Sequence, residues 1–444
     1  MSSQRYSMYT SPSASKSSVI EPPKLNLVIT DDTTNEKSSV RKLLDDRYRN
    51  NQKFPLPTTN AKTVAMISTM RKFLNIFKNQ VDFSKMVASG RKTTLPSSLK
   101  ATITKVTIPR FSNIVIDGYD LTEEKGEMNA EWIQYAPDKE SDQRVIIYIH
   151  GGAYFLANRR THRPITWRLA KYARARVLSI DYRLAPENAF PLPLVDVLSA
   201  YQYLLQVKYQ PHQISFVGDS AGGGLTMSAL IYCRDTGLLP MPGAIACMSP
   251  YMDLTHSLPS WHLNQPYCYL PNGVYDPKYL NDTRSNLAVN TDKELLHPFA
   301  SPAFSKKNDR NLCPTLIQMG DCERIRDDSI YFSEFLYKDQ PIQLEMYEDS
   351  VHVFQLFSPF DKFSKHALLR IGEFLRKYTG NEPETQLEHV AYKVLHQPGF
   401  PVQRIDDLVG VLSDGAQILI ERGIWKSTKN EDGSSSIEVV KPLK

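Results

Sequence analysis

Gly218-Asp219-Ser220-Ala221-Gly222 lies between the apolar run ISFV and the helix-like run LTMSALIYC. A serine on a sharp turn between a strand and a helix needs small neighbours, because its backbone is strained and its hydroxyl must stand clear of the sheet. Such a hydroxyl attacks a carbonyl carbon once a neighbouring base takes its proton. His150-Gly151-Gly152-Ala153-Tyr154 follows a second apolar run, VIIYI. Attack at an acyl carbon generates a tetrahedral oxyanion, and adjacent glycines let backbone N–H groups converge on it with no Cβ in the way. Gly151, Gly152 and the N–H of Ala221 are therefore the expected oxyanion hole. His150 reads as a structural residue of that loop, because in this chain order the catalytic imidazole follows the serine. Taken singly, either motif also fits a glycine turn at a strand end. A phosphate cradle at Gly222-Gly223-Gly224 is a poor reading, since no G-K-[ST] follows and Asp219 would repel an anion.

These loops have to be presented by strands and helices, and the chain supplies an alternation of both. Apolar strand candidates are Val145 to Ile149, Val177 to Ile180, Ile214 to Val217, Ala244 to Met248, Thr315 to Met319 and Gln343 to Tyr347. Helix candidates between and after them are Thr166 to Ala173, Val195 to Val207, Leu225 to Cys233, Ser329 to Tyr337 and Lys362 to Tyr378. Largely apolar strands separated by helices predict an α/β fold with a mostly parallel central sheet flanked by helices on both faces. Residues 100–380 are assigned to this catalytic domain, and the long polar and aromatic stretch 253–298 within it to a cap or lid insertion. Residues 61–99 place Val64, Ile67, Met70, Leu74 and Phe77 at helical steps and form a helical cap segment. Residues 1–60 are rich in Ser, Thr, Asn and charge and read as a disordered tail, and 381–444 as a C-terminal extension.

HGGAY at 150–154, DYRLAPENAFP at 181–191, GDSAGGG at 218–224 and SPYMDL at 249–254 stand in an order that resembles the hormone-sensitive lipase family of α/β-hydrolase esterases. The likeness is to its arylacetamide deacetylase-like and fungal steryl acetyl esterase branch, and it spans about Pro137 to Tyr378. One departure is Ala153, where many members carry a third glycine. The resemblance implies an α/β-hydrolase fold with a helical cap, no metal and no organic cofactor. It places the catalytic histidine at His352 in YEDSVHVF, just past the strand QLEMY. Aligning Ile325-Arg326-Asp327 with the family's L-R-D puts the triad acid at Glu323, with Asp321 as the alternative; either carboxylate can orient an imidazole. Asp327 and Asp328 then read as caps for the following helix. Arg183 and Glu187 read as a structural ion pair beneath the oxyanion loop. Trp261, Tyr267, Tyr269 and Tyr275 either line an acyl pocket or pack a lid.

The function expected from Ser220, His352 and Glu323 is hydrolysis of carboxylic esters through an acyl-enzyme. Its substrates are small apolar esters with short to medium acyl groups, among them acetylated sterols, glycerides and xenobiotic esters. Two other readings stay open: a ligand receptor on a hydrolase scaffold, and an amidase or formamidase. Composition removes other classes. Across 444 residues, 53 Lys and Arg stand against 48 Asp and Glu, spread along the chain, so no nucleic-acid partner is expected. The five cysteines show no paired C-x-x-C and no His at ligand spacing, which speaks against a disulfide framework or a zinc site and fits a reducing compartment. With no signal-peptide pattern and no long apolar run, the expectation is a cytoplasmic protein, with peripheral contact at a membrane, endoplasmic reticulum or lipid-droplet surface left open. Oligomeric state is not legible in the sequence.

Overall fold

The computed structural model of the chain describes residues 38–50, 52–75, 80–135, 144–271, 286–384, 386–429 and 435–439. Helices α1 (Ser39–Arg49), α2 (Ala61–Asn75) and α3 (Gln80–Lys92) precede strands β1 (Ala101–Pro109) and β2 (Glu127–Tyr135). The alternating part runs β3 (Val145–Ile149), α4 (Arg163–Ala173), β4 (Arg176–Ile180), α5 (Leu192–Gln206), β5 (Ile214–Asp219), α6 (Ala221–Thr236) and β6 (Ala244–Met248). It continues through α7 (Pro259–Leu263), β7 (Thr315–Gly320), α8 (Arg326–Ile330), β8 (Ile342–Tyr347) and α9 (Lys362–Tyr378). Then come β9 (Val390–Val394), β10 (Val402–Arg404), α10 (Leu408–Glu421) and the hairpin of β11 (Trp425–Lys429) and β12 (Ser435–Val439).

One ten-stranded sheet, in the order β1-β2-β4-β3-β5-β6-β7-β8-β9-β10, organises the chain. Its centre from β4 to β9 is parallel, while β1, β2 and β10 pair antiparallel. Strands β3, β5, β6 and β7 are buried at every position, as parallel strands covered on both faces must be. Side chains alternate between the faces: Val145, Ile147 and Ile149 pack with α5 and α6, whereas Ile146 and Tyr148 pack with α4 and α9. The strand candidates from Val145 to Tyr347 coincide with β3 to β8 within two residues at each end. Among the described residues no helix is long and apolar enough to cross a membrane.

The terminal segments correct the sequence reading. Residues 1–37 of the expected tail lie outside the described residues, but 38–50 are not tail: α1 buries Leu44, Arg47 and Tyr48 against the catalytic domain. Ser38 accepts the Arg41 N–H at its start, and the last turn carries Arg47 and Arg49, favourable beside the carbonyl end of a helix. Composition alone underrates such a segment, because a few buried side chains suffice once a preformed surface receives them. Residue 380 is likewise no boundary of the sheet, since β9 lies parallel to β8 and continues it. The helical segment 61–99 does form two helices, α2 and α3; Phe77 lies outside the described residues.

Candidate active site

Ser220 occupies the turn between β5 and α6 with φ 51° and ψ −120°, a conformation L-residues rarely adopt. Glycine is required beside it. A Cβ on Gly222 would stand 2.0 Å from the Ile149 carbonyl oxygen, so only a bare backbone lets α6 start against the end of β3. The serine hydroxyl, half-buried, lies 2.8 Å from His352 Nε2, and His352 Nδ1 lies 2.8 Å from Glu323 Oε2. Glu323 and His352 are buried on the loops that leave the carboxyl ends of β7 and β8. The other Glu323 oxygen accepts the Gly320 N–H at 3.0 Å, which fixes the carboxylate plane. The geometry therefore separates the two acids: Asp321 does not reach the imidazole but turns to Arg47 at 3.3 Å.

The glycine loop after β3 departs from expectation at one residue. Gly151 N–H donates to Asp219 Oδ1 at 3.0 Å, so, against the expectation from the motif, it is not free to meet an oxyanion. Asp219 is itself held by the Tyr148 hydroxyl at 2.6 Å and by His162 Nε2 at 3.2 Å. Burial opposes ionisation there, yet His162 and Tyr148 keep the Asp219 carboxyl below its ordinary pKa. A buried carboxylate attracts the nearest N–H, and here that is Gly151. Gly152 and Ala153, which follow at φ 118° and 55°, line the same cavity as Ser220 and His352. Gly152 admits no side chain, for a Cβ would meet the Leu156 carbonyl oxygen at 2.3 Å. His150 has the structural place expected of it: stacked on Tyr182 with centroids 4.4 Å apart, its Nδ1 2.7 Å from the Gly151 carbonyl. Burial, with His162 nearby, lowers its pKa to about 3, so the ring is neutral.

The cavity above Ser220 has a volume of about 420 Å³. Met70 of α2 and Met86 of α3 wall one side, and Leu156, Trp261, Tyr269 and Leu270 contribute further apolar surface. Trp261 is clamped between the His256 ring, 3.5 Å between centroids, and the Arg324 guanidinium, 3.8 Å from the ring centroid. His256 accordingly has its pKa lowered by burial and by Arg324, and it presents a neutral wall. Of the aromatic cluster, Trp261 and Tyr269 face the cavity, while the Tyr267 hydroxyl instead donates to the Gln52 carbonyl at 2.7 Å. Tyr275 lies outside the described residues.

Two further expectations are corrected. Arg183 and Glu187 do not pair: Arg183 turns down to Asp196 at 2.9 Å and to Glu124, while Glu187 reaches Arg91 of α3 at 2.9 Å. The acid beneath the loop is thus Asp196 of α5, and Glu187 ties α3 to the segment after β4. Asp327 and Asp328 stand in the first turn of α8, but their side chains do not cap it. Asp328 Oδ2 accepts the N–H groups of Met252 and Asp253, both at 2.9 Å, and Asp327 Oδ2 that of Ser260 at 2.8 Å, which pins the segment that follows β6. Sequence reasoning missed Asp219, His162 and Arg47; the first was legible in GDSAG only as a charge, and the others carry no local signal.

Comparison with known proteins agrees with this architecture. A family model described as alpha/beta hydrolase fold matches residues 146–356. An acetyl-hydrolase of Streptomyces hygroscopicus is 34% identical over 256 residues, 57% of this chain and 82% of that protein. An esterase of Acinetobacter venetianus is 33% identical over 241 residues, 53% of this chain and 75% of the relative. Among solved structures, an esterase/lipase from an uncultured bacterium superposes with a TM-score of 0.60 at 28% identity, covering 72% of this chain and 99% of its own. An esterase from the bacterial hormone-sensitive lipase family gives 0.58 at 29%, covering 72% and 100%. By sequence and by fold the chain belongs to the hormone-sensitive lipase family of α/β-hydrolases, and it is a carboxylic ester hydrolase.

Proposed function

We propose that the chain hydrolyses small apolar esters with short to medium acyl groups through an acyl-enzyme formed on Ser220. The observation that carries this reading is the unbroken chain of contacts from Ser220 Oγ to His352 Nε2, and from His352 Nδ1 to Glu323 Oε2, each 2.8 Å. His352 takes the hydroxyl proton as Ser220 attacks the ester carbonyl, and Glu323 stabilises the imidazolium and keeps Nδ1 protonated. The oxyanion is received by the N–H groups of Gly152 and Ala221, with Ala153 in the position that Gly151 leaves open. Collapse expels the alcohol with the proton from His352; water, deprotonated by the same imidazole, then releases the acid and restores Ser220.

The apolar walls of the 420 Å³ cavity favour uncharged substrates with hydrocarbon on both sides of the ester, as in acetylated sterols or glycerides. A cytoplasmic setting is part of the proposal, with contact at membrane or lipid-droplet surfaces; five buried, unpaired cysteines suit a reducing compartment. An intact triad argues for catalysis over a receptor role. The test is a p-nitrophenyl ester series from acetate to decanoate with Ser220→Ala beside the wild type, and p-nitroanilides to compare amide cleavage. Esters turned over by the wild type alone, with a fluorophosphonate labelling Ser220, support the reading; equal product release by the variant overturns it.

A further inference from the structure

Behind the triad two buried carboxylates face each other across the loops that carry the acid and the base. Asp321 precedes Glu323 by two residues and Asp349 precedes His352 by three. Neither lines the substrate cavity. Both converge on one cation from the N-terminal helix: Arg47 of α1, 1% exposed, places Nη2 3.3 Å from Asp321 Oδ2 and 2.7 Å from Asp349 Oδ1. Cys322 donates its thiol to the other Asp321 oxygen at 3.0 Å. Asp349, at a left-handed φ of 49°, uses its second oxygen to accept the Thr58 hydroxyl at 2.8 Å. The next residue of α1 continues the brace. Tyr48 donates to Asn264 Oδ1 at 2.9 Å, and the Asn264 amide donates to the backbone carbonyls of Asp321 at 3.2 Å and Glu323 at 2.8 Å.

We propose that Arg47 is a positioning residue for ester hydrolysis: by binding Asp321 and Asp349 together, it locks the Glu323 loop to the His352 loop and fixes the contact between acid and base. The inference rests on the triad reading given above. Its physical basis is that two buried like charges repel unless a cation lies between them. Without Arg47 the carboxylates separate, carrying Glu323 and His352 with them, and a displacement of an ångström at a catalytic group costs up to about 10²-fold in rate. Stability alone is a weak reason for this arrangement. Arg47 Nε and Nη1 are buried with no hydrogen-bond partner among the described residues, and a buried ion pair so incompletely satisfied returns little net folding energy.

The test compares wild type, Arg47→Met, Arg47→Met with Asp349→Asn, and Arg49→Ala, which alters only the exposed pair of Arg49 with Asp45 and Glu421. Rates on p-nitrophenyl butyrate are divided by the sites that a fluorophosphonate labels at completion, so that unfolded protein does not count. Arg47→Met is expected to lose about tenfold or more in kcat with KM within about twofold, and Arg49→Ala to match wild type. The double variant removes the repulsion but not the missing clamp, so its kcat should recover above the single variant and stay at least about threefold below wild type. Arg47→Met with wild-type kcat per labelled site overturns the proposal, as does a double variant no better than the single. If Arg47→Met does not fold, the double variant decides: wild-type kcat in it overturns the clamp. Ser220→Ala is run alongside. Residual activity there defeats the triad reading itself, whereas an inert Ser220→Ala beside an unaffected Arg47→Met defeats only the clamp.

Discussion

Replacing Glu323 by glutamine tests the acid assignment through hydrogen-bond arithmetic. Glu323 Oε2 meets His352 Nδ1 at 2.8 Å and Oε1 accepts the Gly320 N–H at 3.0 Å, so both oxygens act as acceptors in a buried site. Glutamine has one acceptor and one donor group. If its oxygen stays with Gly320, its amide NH₂ faces Nδ1, which must then accept. The ring proton moves to Nε2 and points at Ser220, and the base is lost; a triad acid converted to its amide in this way loses about 10⁴ in kcat. If the oxygen turns to His352, the NH₂ meets the Gly320 N–H, and burying two unpaired donors costs about 1–3 kcal/mol. The active rotamer is then one part in roughly 5 to 150, and it also lacks the charge that stabilises the imidazolium. Glu323→Gln is therefore expected to lower kcat by about 10² to 10⁴ at pH 7, with KM within about threefold. Asp321→Asn keeps an acceptor for the Cys322 thiol or Arg47 and is expected to lose less than about tenfold. Initial rates on a p-nitrophenyl ester decide the matter, and a Glu323→Gln enzyme within fivefold of wild type, or an Asp321→Asn enzyme more impaired than it, would refute the assignment.

Gly152→Ala would place a Cβ 2.3 Å from the Leu156 carbonyl at φ 118° and so displace its N–H, and a drop in kcat per labelled site of at least about 10² with little change in KM is expected; wild-type turnover would count against Gly152 as an oxyanion donor. Trp261→Ala removes the ring held between His256 and Arg324, and it should move the preferred acyl chain to longer p-nitrophenyl esters while lowering stability by about 3 kcal/mol; an unchanged chain-length profile counts against Trp261 as a substrate wall. Burial lowers His150 to about 3 and His262 to about 4 from the ordinary 6.5, so the unfolded chain takes up protons that the folded one refuses. Stability is then full above about pH 6.5 and falls toward pH 4, by up to about 1.4 kcal/mol per pH unit per ring, and melting temperatures that stay flat from pH 7 to 4.5 contradict it. Deleting residues 381–444 uncovers the edge of β8, and self-association of the truncated chain in analytical ultracentrifugation is expected where the full chain stays dispersed.

The parts of the fold legible in the sequence are those whose signal is local. Strands β3 to β8 are short apolar runs because both faces are covered, and the Ser220 turn announces itself because its strain admits only small neighbours. Strands β1 and β2 lack such a local signal. β1 is exposed or half-exposed at most positions and mixes Thr and Lys with its apolar residues, so it lacks the apolar run that marks the buried strands. The HGGAY segment is legible as a glycine loop but not in its register: only the fold brings Asp219 within 3.0 Å of the Gly151 N–H, which leaves Gly152 as the proposed donor. Arg183 and Glu187 are close in sequence, yet their partners are Asp196 and Arg91, which no spacing rule connects to them. Arg47 is the extreme case, since its partners are 274 and 302 residues away.

The two ends of the chain serve a common mechanical purpose. In a parallel sheet the loops at the strand ends are held by the neighbouring strands and helices, and the acid and base loops of this enzyme follow β7 and β8, toward the side of the sheet closed by β9 and β10. There the C-terminal segment supplies what an edge would lack: Glu348, beside the His352 loop, donates its N–H to the Val394 carbonyl at 3.0 Å, pairs with Lys393 at 3.1 Å and accepts the His396 N–H at 3.0 Å. The N-terminal helix closes the same region from above, and it is itself fixed to α10 through Arg41, which pairs with Asp407 at 3.0 Å and Asp414 at 2.8 Å. Chain length beyond the α/β core is thus concentrated on the side of the molecule that carries Glu323 and His352, whereas Ser220, in the turn after β5 in the middle of the sheet, is held by the strand and helix on either side of it. Substitutions at Arg41, which release α1 from Asp407 and Asp414, should therefore register first in the imidazole and its acid, and only later in the nucleophile.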